Sequence, residues 1–288
     1  MNKQYFFIFL LLGLPLFFSS CEDSVDVDLG PPQIQLVVDA VINNSKDTQF
    51  IYLTKTIGFL NNGRYPGYQA DSVMIIDTAG PARIFNYSGN GTYFYVVPAG
   101  LNFKTGNTYG LYIKDGPDSY YSLSKLNRVP PIDSLIVRYK EEEFGQKAGY
   151  EAEMYAKDIA GVGDFYWLKL YRNDSFQSSS INISQDGAFV GSTAGDGDRF
   201  IPPIAKLALN SFSRPYKSGE TIKLELLSIN PELYFYLNEI TTQLNNQGLF
   251  ATPPANVSGN IFCLNNEKKK VLGFFSMCGK SEANVTVP

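Results

Sequence analysis

Histidine is missing from all 288 residues. Its absence removes the imidazole base of Ser-His-Asp and Cys-His nucleophiles and every His-ligated zinc or iron site. Cationic side chains are also short: 24 Lys and Arg stand against 28 Asp and Glu, a net charge of -4, which makes a poor binder of a phosphate backbone and argues against a nucleic-acid partner. Long apolar runs are confined to Tyr5–Phe18, roughly 21 Å as a helix. That is short of the ~30 Å hydrocarbon core of a bilayer, and Pro15 interrupts it. What remains is an ordinary globular balance, 44% hydrophobic and 18% charged. The 21 Phe, 19 Tyr and 25 Gly lean toward β structure with many turns, and the composition excludes low complexity and collagen. A chain of this length forms one large domain or two small ones.

The apolar run has the layout of a secretion signal, with Lys3 before it and small residues after it. Phe18-Ser19-Ser20-Cys21 resembles a bacterial lipobox, with Phe18 where Leu is usual. The resemblance implies cleavage after residue 20 and a diacylglyceryl thioether on Cys21; the alternative is an ordinary signal peptide. At about 0.8 kcal/mol per buried CH₂, two or three acyl chains make a permanent anchor. Residues 21–32 then read as an acidic tether, Glu22-Asp23-Ser24-Val25-Asp26-Val27-Asp28 leading to Gly30-Pro31-Pro32. Acidic residues directly after the lipidated cysteine resemble the surface-export signal of Bacteroidota lipoproteins, which implies an outer-membrane location facing outward. A solvated linker is the plainer reading.

From Ile34 the sequence reads as all-β, in two β-sandwich modules of immunoglobulin-like or transthyretin-like type, residues 33–129 and 130–288. Ile34, Leu36, Val38 and Ala40 alternate as a half-buried strand, and turn residues 43–47 join them to Phe50–Leu53 as a hairpin. Strands follow around Val73–Ile76, Ala82–Ile84, Thr92–Val97, Thr108–Lys114 and Tyr120–Leu123, each bounded by Gly, Pro, Asn or Asp. Val129-Pro130-Pro131-Ile132 is a stiff joint, because two prolines remove two amide donors and force an extended path. Beyond it, Leu135–Tyr139, Tyr150–Ala156, Phe165–Tyr171 and Thr221–Ser228 read as strands. Asn230 as cap, Pro231 at the first position and Glu232 on the positive end predict a helix over 231–246, with Leu233, Tyr236, Leu237, Ile240 and Leu244 as its core stripe. Asn260–Leu264 and Lys270–Ser276 flank turn residues as a final hairpin.

The order of several segments resembles a Bacteroidota lipoprotein family known only as a domain of unknown function. They are the lipobox, Ala70-Asp71-Ser72-Val73 leading to Asp77 and Gly80, Gly91-Thr92-Tyr93, Gly106 through Leu111, Val129 through Leu135, Leu227 through Leu237, Gly259-Asn260-Ile261 and Leu272-Gly273-Phe274-Phe275. The resemblance implies a role beside a TonB-dependent outer-membrane receptor, and it supplies no catalytic residues to carry over.

Other constellations are weaker. With Cys21 spent on lipid, Cys263 and Cys278 form a candidate disulfide in an oxidising compartment, although a hairpin centred near Glu267 puts Cys263 opposite Leu272 and away from Cys278. Glu141-Glu142-Glu143 with Glu151 and Glu153 read as a solvated loop and strand edge more than as the paired carboxylates of a glycosidase. Asp186-Gly187 and Gly195-Asp196-Gly197-Asp198 lack the spacing and closing Glu of a calcium loop and read as turns. The sequons at Asn86 and Asn90 carry no meaning in a bacterium. The best contact candidate is the loop 58–68, where Phe59, Arg64, Tyr65 and Tyr68 are residue types of interface hot spots; the plainer reading folds its aromatics back onto the sheet. The expected protein is a non-enzymatic, lipid-anchored partner or ligand-binding component of a TonB-dependent uptake complex, without metal or cofactor. A transporter-independent adhesin or glycan-binding lipoprotein is the alternative.

Overall fold

In the alternating segment Leu36–Asn43 (β1), Leu36, Val38, Ala40 and Ile42 go inward and Val37, Asp39 and Val41 outward, because successive side chains of a strand point to opposite faces. Gln49–Lys55 (β2) returns antiparallel, with Val38 opposite Leu53 and Asp39 opposite Tyr52. Between them the buried Gln49 amide fixes the turn, accepting from the Asn43 N–H (2.9 Å) and donating to the Asp47 carbonyl (2.9 Å). This is the hairpin the sequence predicts. The computed structural model describes residues 32–58, 61, 63–77, 80–143, 147–177, 182–185, 197, 214–246 and 257–288.

The next strands are Ser72–Asp77 (β3), Arg83–Gly89 (β4), Thr92–Tyr95 (β5), Thr108–Asp115 (β6) and Asp118–Lys125 (β7). They are followed by Ile132–Lys140 (β8), Gly149–Ala156 (β9), Phe165–Arg172 (β10), Ser175–Phe176 (β11), Asn182–Gln185 (β12) and Thr221–Ile229 (β13). The helix α1 spans Pro231–Asn245, and Phe262–Cys263 (β14) and Leu272–Thr286 (β15) close the chain. Among the described residues the fold is thus mostly β with one helix. Instead of two separate sandwiches, thirteen strands join in one sheet, in the order β11-β10-β13-β15-β1-β2-β5-β4-β3-β6-β7-β14 with β12 also on β10, and β8-β9 makes a second.

Three cores explain this arrangement. The large sheet curls so that β1, β2, β3, β6 and β7 surround one cluster that includes Val38, Ile51, Ile75, Tyr109, Leu111, Tyr120, Phe275 and Met277. A second cluster lies between the β8-β9 ribbon and the sheet, where Ala152, Met154, Leu135 and Val137 meet Tyr166, Leu168, Ile222 and Leu224. On the sheet's opposite face α1 presses Leu233 and Leu237 onto Phe165, Leu227, Ile229, Phe274 and Cys278. The end of β13 is therefore buried on both sides, Leu226 facing the ribbon and Leu227 the helix. The helical stripe packs only in its first two turns, since Leu244 is exposed.

The C-terminal hairpin predicted from 260–276 does not form. Phe262 and Cys263 pair with Tyr121 and Tyr120 of β7, and Leu272–Cys278 runs parallel to Val37–Asn43 of β1. The reason is burial: Ile261, Cys263, Val271, Phe275 and Met277 complete the first core, which a free-standing hairpin would leave wet. Strands from beyond the Pro130-Pro131 joint thus pair with strands before it. Where β7 and β15 meet, side chains replace a ladder. Ser124 Oγ accepts from the Met277 N–H (2.8 Å), and the Asn260 amide holds both the N–H (2.9 Å) and the carbonyl (2.8 Å) of Phe275.

Candidate functional site

The loop after β2 is pinned before its tip is presented. The Lys55 N–H donates to the Pro66 carbonyl (3.0 Å), and the Tyr68 N–H to the Leu53 carbonyl (2.8 Å). Gly67 lies against the Asn90-Gly91 turn so closely that a Cβ there would stand 2.2 Å from the Asn90 carbonyl carbon. Tyr68 turns back toward the first core, its hydroxyl donating to the Asp115 carboxylate (2.7 Å) with Lys55 Nζ over its ring (3.7 Å). Burial and the Asp115 bond push its hydroxyl pKa up to about 12. The polar end of Tyr68 is thus already used internally, while its ring stays half-buried. Tyr65, 66% exposed, and Arg64 point to solvent from this fixed base. Phe59 lies outside the described residues.

The candidate disulfide is corrected. Cys263 and Cys278 are free, buried thiols in different cores, Cys263 beside Tyr120 in the first and Cys278 beneath α1. Burial pushes the Cys278 thiol up to about 11, leaving it unreactive at neutral pH. The glutamates divide as their pattern suggests. Glu141, Glu142 and Glu143 are exposed, and Glu153 is held by Arg138 Nε (3.0 Å) and the Tyr155 hydroxyl (2.8 Å). Residues 186–187, 195–196 and 198 lie outside the described residues, as does Cys21.

The feature that residue-by-residue reading missed is the outer face of the large sheet. Phe50 and Tyr52, 43% and 44% exposed, stand side by side on β2 with parallel rings 6.3 Å apart. Asp39 is beside Tyr52 across one strand boundary and beside Phe274 across the other. Tyr236 from α1 covers Phe274, centroids 5.0 Å apart. Three strands further, Lys169 Nζ lies over Trp167 (4.2 Å). Lys223 lies over Tyr171 (4.3 Å) and pairs with Glu225 (3.1 Å), whose other oxygen accepts from the Tyr171 hydroxyl (3.0 Å). Lys280, nearly buried, gathers Asp47 (2.9 Å), Glu282 (2.9 Å) and Glu225 (3.7 Å). The alternation of β2 contained the signal: Phe50 and Tyr52 occupy the outward positions that a soluble sheet normally gives to polar residues. Such an arrangement can dock a flat, partly apolar surface or stack a ligand. Of three surface cavities, one of about 420 Å³ near the Pro130-Pro131 joint is lined by two carboxylates, Asp133 and Asp158, with Lys157 beside them, and the other two by one carboxylate each. One of about 650 Å³ has Glu267 as its one lining carboxylate, and one of about 440 Å³ has Glu232.

A family model described as a domain of unknown function (DUF4249) matches residues 22–284. No curated protein matches the chain.

Proposed function

The chain belongs to the DUF4249 family, and from that premise we propose that it is an outer-membrane lipoprotein, anchored through Cys21, that binds a partner or ligand within a TonB-dependent uptake complex and performs no chemistry of its own. The observation that carries the reading is the exposed aromatic face of β2 with the pinned Arg64–Tyr65 loop at the end of the same strand. Large apolar rings and an Arg held on a rigid base are the residue types that dominate interface energetics. In this reading the acyl chains fix the protein in the plane of the membrane, the acidic tether sets its reach, and the sheet presents the contact face. Residues 1–20 supply the export signal, and the acidic stretch after Cys21 supports an outward orientation.

Two measurements test the proposal. The first is affinity recovery of the detergent-solubilised native protein: a β-barrel receptor that co-purifies supports it, and recovery of the protein alone counts against the uptake role. The second is thiol titration of the unfolded mature chain, which gives two thiols when Cys21 is a thioether and three when it is not. A second reading, a surface glycan-binding protein, draws on the parallel exposed rings of Phe50 and Tyr52. Retardation of the protein in gels containing soluble polysaccharide, lost in Tyr52→Ala, would favour it over the first.

A further inference from the structure

One pattern recurs through the molecule: a carboxylate beside a tyrosine, completed by a cation set over the ring. Glu225 and Tyr171 take Lys223, at 3.1 Å from the carboxylate and 4.3 Å from the ring centroid. Glu220 and Tyr216 take Arg172, at 2.6 and 4.9 Å. Asp77 and Tyr109 take Arg83, at 3.8 and 5.6 Å, and Asp118 and Tyr120 take Lys269, whose Nζ is 5.7 Å from the ring. The combination is favourable because a guanidinium or ammonium gains both an ion pair and the negative face of the ring.

Another carboxylate–tyrosine pair, Asp39 and Tyr52, has no cation set over its ring among the described residues. Asp39 lies on the outer face between Tyr52 and Phe274, with Tyr236 of α1 over Phe274. Among the described residues its carboxylate makes no hydrogen bond or ion pair, and Lys169, the one described cation that bears on it, is engaged over Trp167. The charge is felt by both tyrosines, Tyr52 and Tyr236, whose hydroxyl pKa values rise through burial and then through Asp39. The neighbouring rings strip part of the water from the Asp39 carboxylate, exposed though the residue is, and this raises its own pKa. We infer that Asp39 and Tyr52, backed by Tyr236 and the buried Phe274, form a receptor for an arginine or lysine side chain of a protein partner, which supplies the cation that Asp39 lacks among the described residues. Charge complementarity argues for a basic group, and the exposed Phe50 and Tyr52 beside it give the surrounding apolar contact that a partner surface, more than a free amine, would cover. The inference deepens the partner-binding reading and rests on it.

The test uses the full-length chain in detergent with two peptide probes, acetyl-Gly-Arg-Gly-amide and the same peptide with neutral citrulline in place of arginine, followed by saturation-transfer NMR. The arginine peptide should bind at least about tenfold more tightly than the citrulline peptide, the size of one charge-assisted contact against a ring. Asp39→Asn should abolish the difference without lowering the thermal midpoint. Equal binding of the two peptides, or an Asp39→Asn chain that binds arginine as before, overturns the site. So does an Asp39→Asn chain that melts earlier at neutral pH, since the carboxylate would then be serving an internal partner. A receptor recovered equally well by wild type and Asp39→Asn would retain the uptake reading while removing this site. Arginine selectivity without any recovered receptor would do the reverse.

Discussion

Gly67 and Gly91 decide whether the 58–68 loop has a fixed base. A Cβ at Gly91 would lie 1.9 Å from the Leu53 carbonyl oxygen, on a residue with φ of +75°, while Gly67 meets the Asn90 backbone. Backbone atoms cannot yield as a flexible side chain can, so either substitution must push the loop off β2. Gly67→Ala should cost about 2 to 3 kcal/mol in urea denaturation. Gly100→Ala, with φ of +81° but open space around it, should cost about 1 kcal/mol, the strain alone. Two aspartates give opposite responses to pH. Asp39 has its folded pKa raised, mainly by desolvation, so its ionisation opposes folding: the penalty is absent below the unfolded pKa and complete above the folded one. Asp39→Asn should therefore raise the melting temperature at pH 7 and leave it unchanged near pH 3. Asp47 has its folded pKa lowered, first by its bond from Lys280, so its contribution is present above the unfolded pKa and lost as pH falls through the folded one. Asp47→Asn should lower the midpoint at pH 7 by less than about 1 kcal/mol, because the carboxylate is largely exposed, and the difference should vanish in acid.

At the scale of the element, α1 is fastened at its start. Asn230 Oδ1 accepts from the Leu233 N–H (3.0 Å) as a cap, while its Nδ2 donates to Ser124 Oγ (3.2 Å), the same hydroxyl that accepts from Met277. Asn230→Ala should cost about 1 to 2 kcal/mol, read as a lower thermal midpoint. Asn230→Asp should recover part of this, since the capping oxygen remains and only the bond to Ser124 is lost. The cap, Pro231 and Glu232 were legible in the sequence because capping is local chemistry, and so were strands with one wet face, such as β1 and β2, because alternation needs no partner to be seen. Strand partners were not legible. Nothing within Asn260–Ser276 distinguishes a hairpin from two separate additions to distant strands; that choice depends on which core lacks Phe275 and Met277. The same limit applies to the outer face. Phe50, Tyr52 and Asp39 belong to plain strand patterns, and Tyr236 to a helical stripe, so their meeting at one spot depends on register and on where α1 lies across β15.

For the whole molecule the last strand is the organising element. β15 is parallel to β1 through Cys278 and antiparallel to β13 from Gly279 onward, so one strand carries hydrogen bonds to the first and to the later part of the chain. Parallel pairing of chain ends must wait for nearly the whole sequence, since the loop it closes is more than 200 residues long, and closing such a loop is rewarded only when the core forms. The first core confirms the dependence: Ile261, Cys263, Val271, Phe275 and Met277 are all buried in it and all come from the last thirty residues. A fragment of residues 33–129 would expose the inner residues of β1 along one open edge and leave the space of those five side chains unfilled. At about 25 cal/mol per Å² of apolar surface, losing five buried side chains removes on the order of 10 kcal/mol, as much as a domain's entire stability. That fragment expressed alone should therefore lack dispersed amide resonances and be cleaved rapidly by protease. Adding residues 257–288 in trans should restore protection to β1 and β2, because the first core is the one those residues complete.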